Sequence, residues 1–120
     1  MQDLSEMTEF YSLACHAERS TIYLTGGWNL SDGSLKSVFA FDVARNTWRK
    51  APCMNEAREN HSSLVLAQKL YVICGRGIKK HLNSIEMLDL RHPLPFPAPN
   101  KTWLAFTMEI LTPRNNPLVC

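Results

Sequence analysis

Apolar positions along the chain fall in short runs separated by polar residues. Leu64-Val65-Leu66 and Leu70-Tyr71-Val72-Ile73 flank Ala67-Gln68-Lys69, which predicts two adjacent antiparallel strands joined by a tight hairpin. A similar pair over 12–16 and 21–25 is joined by the polar stretch Ala17-Glu18-Arg19-Ser20. Further strands are predicted near 38–43 and 85–90, each followed by a segment carrying a tryptophan, Trp48 in the first case and Trp103 in the second. Four short strands in succession make one antiparallel sheet, and the chain holds two such sets, so the predicted class is all-β.

The two sets repeat one another in sequence. Ile22-Tyr23-Leu24-Thr25-Gly26-Gly27 aligns with Leu70-Tyr71-Val72-Ile73-Cys74-Gly75, placing Tyr23 and Tyr71 48 residues apart. Ser37-Val38-Phe39-Ala40-Phe41-Asp42 aligns with Ser84-Ile85-Glu86-Met87-Leu88-Asp89, Asn46-Thr47-Trp48 with Lys101-Thr102-Trp103, and Ala57-Arg58-Glu59-Asn60 with Pro113-Arg114-Asn115-Asn116. Matched blocks in one order are an internal repeat with a period near 50 residues. Gly26 and Gly27, like Gly75, end the second strand, where positive φ or a close neighbouring backbone leaves little room for a side chain. Cys74 replaces the first glycine of the pair, and ordinary β geometry is expected there because positive φ is uncommon for a residue with a Cβ. Trp48 and Trp103 read as large fillers between sheets.

Composition and charge narrow the function. With 45% hydrophobic and 20% charged residues, the chain has the make-up of an ordinary folded segment. A net charge of +2, spread without long runs of one sign, argues against nucleic acid or a membrane surface as partner. No apolar run approaches the roughly 20 residues of a membrane span, and residues 1–10 are polar without a signal-peptide core, so a cytoplasmic location is expected. Cys15, Cys53, Cys74 and Cys120 form no CxxC pair, and reduced, mostly buried thiols are expected. His16, His61, His81 and His92 have no partner at metal-ligand spacing, and no phosphate loop or nucleophile elbow is present. The sequence therefore implies no enzyme, no cofactor and no metal.

The Tyr-hydrophobic-x-Gly-Gly of the first unit, the strands ending in Asp42 and Asp89, Trp48 and Trp103, and Met54-x-x-x-Arg58 together resemble the kelch repeat. The stretches HLNSIEMLDL and TWRKAPCMNEARENHSS are most similar to the propellers of BTB-kelch adaptors. The resemblance covers residues 11–120. It implies a kelch β-propeller fragment of about two four-stranded blades: 1–10 as the tail of a preceding blade, 11–60 as blade one, 61–116 as blade two, and 117–120 as the start of the next. Blade two departs from the pattern through a Pro-rich insert at 92–99 and through Ile110 in the position matching Met54. That insert favours polyproline II, either as a spacer or as a segment read by an SH3-like partner.

The same resemblance implies that partners bind loops 28–36, 55–60, 76–83 and 112–116. The candidate partner-binding residues are then Trp28, Asn29, Asp32, Asn60, Arg76, Lys79, Lys80 and Asn115, while Gly26, Gly27, Gly75, Tyr23, Tyr71, Trp48, Trp103, Arg58 and Arg114 are expected to be structural. Trp28 is either an exposed anchor or folded back over its blade. Lys79-Lys80-His81 is either a basic clamp for an acidic peptide or a solvated loop. Arg58 and Arg114 lie between blades, where a guanidinium can bond carbonyls of a turn or face a partner's carboxylate.

Propellers close a ring of about four to eight blades, so two blades leave faces uncovered. Further blades are the first partner implied, and the isolated chain is expected to be poorly stable or to self-associate. The function implied is protein binding through a peptide or loop segment, as in substrate recognition for a cullin-type ubiquitin ligase adaptor. The alternative is a structural or actin-filament-binding protein. An oxidoreductase of the copper-containing kelch-like kind would need a Tyr, His and Cys constellation that the sequence does not supply.

Overall fold

A computed structural model describes residues 8–91 and 103–107. β1 (Ser12–His16), β2 (Thr21–Thr25), β5 (Val38–Asp42) and β6 (Thr47–Ala51) form one antiparallel sheet in the order β1-β2-β5-β6. β7 (Ser62–Leu66), β8 (Lys69–Ile73), β11 (Ser84–Asp89) and β12 (Leu104–Thr107) form a second, with β7 and β12 at its edges. The connections expected as plain loops each contain a small hairpin: β3 (Trp28–Asn29) with β4 (Gly33–Ser34), and β9 (Arg76–Gly77) with β10 (Lys80–His81). These are two blades of a β-propeller. No helix among the described residues is long and apolar enough to cross a membrane.

Local geometry follows from the turns. β7 and β8 are joined by two residues, Ala67 and Gln68, both left-handed (φ 51° and 61°), and Lys69 already pairs with Leu66. Two consecutive positive-φ residues match the twist of the flanking strands, which is why so short a turn closes. On β1–β2 a single 3-10 turn, Ala17–Arg19, ends at Ser20 (φ 49°), whose N–H donates to Ala17 O at 3.1 Å.

Side chains alternate between the faces of each sheet, and the core lies between the sheets. Ala14, Tyr23, Val38, Ala40 and Ala51 of the first sheet meet Leu70, Val72, Leu88 and Trp103 on or beside the second, with Met54 from the connecting segment. Trp103 is the filler expected, buried, with its indole N–H donated to Pro52 O at 2.8 Å. Trp48 is only half-buried; it packs on Phe41 (ring centroids 4.9 Å apart) on the side of the first sheet facing away from the second.

The repeat extends to individual backbone hydrogen bonds. Gly26 N–H donates to Ser37 O and Leu35 N–H to Gly27 O; in the second unit Cys74 N–H donates to Ser84 O and Leu82 N–H to Gly75 O. Glu9 pairs with Trp28 as Glu59 pairs with Arg76. Phe10 and Asn60 share the left-handed conformation (φ 60° and 54°).

Two expectations are corrected. Cys74 is not ordinary β: its φ of 56° matches the 59° of Gly26. The N–H bond to Ser84 and the carbonyl bond from Arg58 (2.9 Å) hold the turn in place, and a Cβ in that region carries about 1–2 kcal/mol of strain. The thiols are not uniformly reduced and buried either, since Cys15 and Cys53 are free but exposed and Cys74 is disulfide-bonded. The insert 92–99, the loop 112–116 with Asn115 and Arg114, and residues 117–120 lie outside the described residues.

Candidate partner-binding face

The segment 52–60, which follows β6, ties the two blades together at one edge. Its backbone bonds to the first blade: Met54 N–H to Lys36 O (2.9 Å), Arg58 N–H to Leu35 O (2.9 Å), and Gly27 N–H to Arg58 O (2.7 Å). Gly26 has to be glycine, because a Cβ there would collide with the Arg58 carbonyl and stand 2.8 Å from the His61 ring. The side chains of Asn55 and Arg58, with the backbone at Asn55, Glu56 and Glu59, reach the second blade. Arg58, fully buried, donates from Nη1 to Cys74 O (2.9 Å) and Ser84 O (3.0 Å), and from Nη2 to Ser84 Oγ (2.8 Å) and Glu86 Oε2 (2.9 Å). Of the two sequence readings of Arg58, the geometry is that of carbonyl bonding within the fold.

Glu86, also fully buried, accepts in addition from the backbone N–H groups of Asn55 (2.6 Å) and Glu56 (3.0 Å). The ion pair is thus surrounded by hydrogen bonds, the condition under which burying two charges is tolerable. Asn55 Nδ2 donates to Trp103 O at 3.1 Å, completing the attachment.

His61 lies beside this network. Its Nε2 is 2.7 Å from Thr25 Oγ1, and the Thr25 hydroxyl donates to Ser12 O at 3.4 Å, so the fitting tautomer is a neutral ring donating from Nε2. Burial, then the Arg58 charge, lower its pKa from 6.5 to about 4. The native state therefore binds fewer protons than the unfolded state between these values, and stability falls as pH drops from 6.5 toward 4. The loss expected from His61 is about 3 kcal/mol. Urea unfolding from neutral pH down to pH about 4 should show this slope, and His61→Asn should flatten it; an unchanged slope in the variant would assign it to other groups.

With the segment fixed, the hairpins β3–β4 and β9–β10 stand side by side and enclose a shallow groove lined by Trp28, Asp32, Ser34, Glu59, Arg76 and Lys79. Ser34 Oγ donates to Glu59 Oε1 at 2.6 Å across it. A second hollow beside it holds Lys36, Asn55, Glu56 and Lys80, with Lys80 Nζ 3.8 Å from Glu56. Asp32, Asn60, Arg76, Lys79 and Lys80 are exposed and Trp28 is half-buried, its backbone paired with Glu9. Asn29 is turned inward: it is buried, and its Oδ1 accepts from Asp32 N–H at 2.6 Å, holding the hairpin turn. Leu30 and Ile78, 88% and 67% exposed at the hairpin tips, were not among the sequence candidates. Their signal was a lone aliphatic residue within an otherwise polar loop. Among the described residues no three His, Cys, Asp or Glu side chains gather as a metal site.

A family model described as the Kelch motif matches residues 12–55. The chain is 40% identical over 73 residues to a putative F-box/kelch-repeat protein of Arabidopsis thaliana, a match covering 60% of this chain and 20% of the relative. It is 36% identical over 78 residues to alpha-scruin of Limulus polyphemus, covering 59% and 8%. Kelch-like protein 6 of Homo sapiens is 27% identical over 88 residues, covering 73% and 14%. Residues 12–55 thus carry a Kelch motif, a repeat that implies a protein-interaction module, and the chain is similar to kelch-repeat proteins. It spans a fifth or less of the length of these three relatives.

Proposed function

We propose that this chain forms part of a kelch propeller that binds an extended or looped protein segment at the hairpin edge, as the substrate-recognition part of a cullin-type ubiquitin ligase adaptor. The observation that carries the reading is the convergence of β3–β4, β9–β10 and segment 55–60 on one groove of mixed charge, with exposed Leu30 and Ile78 at its tips. Exposed aliphatic side chains rimmed by Arg, Lys and Asp offer a partner both an apolar contact and charge pairing. The names of the F-box/kelch and kelch-like relatives are compatible with the adaptor role. Actin-filament binding by the same groove is the second reading.

The test is quantitative affinity capture from cells with the wild type and with a Leu30→Asp/Ile78→Asp/Lys79→Ala variant. Substitutions at these exposed positions should change unfolding stability by no more than about 0.5 kcal/mol each. Captured partners are expected to fall at least tenfold. Cullin subunits among them favour the adaptor reading, and co-sedimentation with actin filaments favours the other. An unchanged set of partners would remove the groove from the binding site.

A further inference from the structure

We propose that the end of the first sheet opposite the hairpin groove binds a segment of a partner protein that carries a phosphorylated serine or threonine. The inference does not depend on what the hairpin groove binds. On the first sheet, Ser12, Thr25 and Val38 lie abreast at the end from which the chain enters the β3–β4 hairpin, and His16, Thr21 and Asp42 lie abreast at the other. At that other end the Ala17–Arg19 turn joins β1 to β2, and the turn 43–46 joins β5 to β6.

Three arginines line one hollow there: Arg19 from the turn after β1, Arg45 from the turn after β5 and Arg49 from β6, beside Glu18 and Asp42. Burial raises the pKa of Tyr23, and the charges of Arg49 and then Arg19 pull it back, so guanidinia from two separate elements act on one point. The two carboxylates are partly drawn aside. Asp42 Oδ1 accepts from Arg45 N–H at 3.1 Å, which holds the turn, and Glu18 Oε1 lies 3.8 Å from His16 Nε2. One planar fork can satisfy a carboxylate, whereas forks arriving from several elements suit an oxyanion with three terminal oxygens. A phosphoserine or phosphothreonine presents three such oxygens and about −1.5 to −2 charge at pH 7.

His16 is a second, independent observation. Its side chain is only 4% exposed, yet among the described residues neither ring nitrogen has a hydrogen-bond partner, and the Glu18 carboxylate stands too far away to be one. Buried polar groups left unbonded are costly and uncommon, so such a ring in the wall of a hollow marks a place for a ligand. The hollow it lines adjoins the arginines, with Glu18 in the wall of both, and runs between the blades past Val65, Ala67 and Gln68. The two hollows make one track. Among the described residues neither Lys nor Arg lines the His16 part, so a polyphosphate or a nucleic-acid backbone would meet cations on half of it only. A peptide fits the whole: its phosphate lies among the arginines, and its flanking backbone meets an imidazole nitrogen, which can bond a peptide N–H or C=O.

The experiment screens the 120-residue chain, shown to be folded by far-UV circular dichroism, against a library of short peptides with a central phosphoserine or phosphothreonine and varied flanks, beside the same library without phosphate. The tightest binder is then titrated by fluorescence anisotropy, with inositol hexakisphosphate as the polyphosphate probe. Losing the phosphate, or replacing both exposed arginines in Arg19→Gln/Arg45→Gln, should weaken binding about tenfold or more, the size expected for charge-assisted hydrogen bonds. Glu18→Gln removes a repelling charge and should tighten binding about two- to fivefold, as for an exposed charge. His16→Phe keeps a ring in place and should weaken the peptide but not inositol hexakisphosphate. The Leu30→Asp/Ile78→Asp/Lys79→Ala variant should bind the phosphopeptide as the wild type does. Equal binding with and without phosphate would overturn the proposal, as would an affinity unchanged in the double arginine variant. Binding of inositol hexakisphosphate with no peptide bound would assign the arginines to a polyphosphate instead, and loss of the phosphopeptide in the hairpin variant would move it to the groove; either result also overturns the proposal.

Discussion

Arg58→Ala is expected to lower the unfolding free energy by about 3–5 kcal/mol, the typical cost of removing one partner of a buried ion pair. Folded domains are stable by only about 5–15 kcal/mol, so the variant should be largely unfolded at modest temperature. The loss has three parts: Glu86 is left as a buried charge without its cation, the Cys74 and Ser84 carbonyls lose a donor, and the left-handed turn at Cys74 loses the bond that holds it. Arg58→Lys separates charge from geometry. One ammonium can neutralise Glu86 but cannot reach the Cys74 carbonyl, Ser84 and the carboxylate as a planar fork does, so it should recover only part of the loss. Thermal and urea unfolding followed by circular dichroism decide the matter. A cost below about 1 kcal/mol for Arg58→Ala would mean that the network contributes little beyond its own desolvation.

Trp103→Ala should be of similar size, about 3–5 kcal/mol, as for other large aromatic truncations in a core. Its ring fills the space between the blades, and its N–H satisfies Pro52 O, which the substitution would leave unbonded. Trp48→Ala is the built-in control, because Trp48 holds the repeat-equivalent position but is half exposed and packs mainly on Phe41. Its cost in the monomer should be about 1 kcal/mol, within the ordinary range for point substitutions. Tryptophan fluorescence adds a second readout, since loss of Trp103 should remove the most blue-shifted emission. Equal costs for the two substitutions would contradict the distinction between inner and outward faces.

The strands of both sheets could be read from the sequence because their signals are local. Period-two apolar runs, the Ala67-Gln68 turn and the spacing between Tyr23 and Tyr71 all lie within one hairpin or one repeat. The departures arise where partners are distant in sequence. The left-handed Cys74 depends on a bond from Arg58, 16 residues earlier, and Arg58 also reaches Glu86, 28 residues later. Nothing in the residues adjoining Cys74 carries that information. Asn29 reads as an exposed polar loop residue, yet its amide is used inside the hairpin. Leu30 and Ile78 were obscured for the opposite reason: an aliphatic residue suggests burial until the hairpin is seen to hold it outward.

The segment 52–60 also separates two kinds of unit. By sequence it ends the first repeat, and its backbone is bonded there at Met54 and Arg58, but the Arg58 side chain completes the interior of the second sheet. The stretch that can be copied and the body that must fold are therefore offset by a few residues, like tiles with a tongue on one side and a groove on the other. A duplicated repeat brings with it the tongue for its successor, so such arrays can lengthen by whole repeats only in one orientation. A cut placed after β6 would keep Arg58 with the blade it completes but strip the first blade of its backbone bonds to Met54 and Arg58, whereas a cut after Asn60 would leave an unsatisfied arginine on the blade before it.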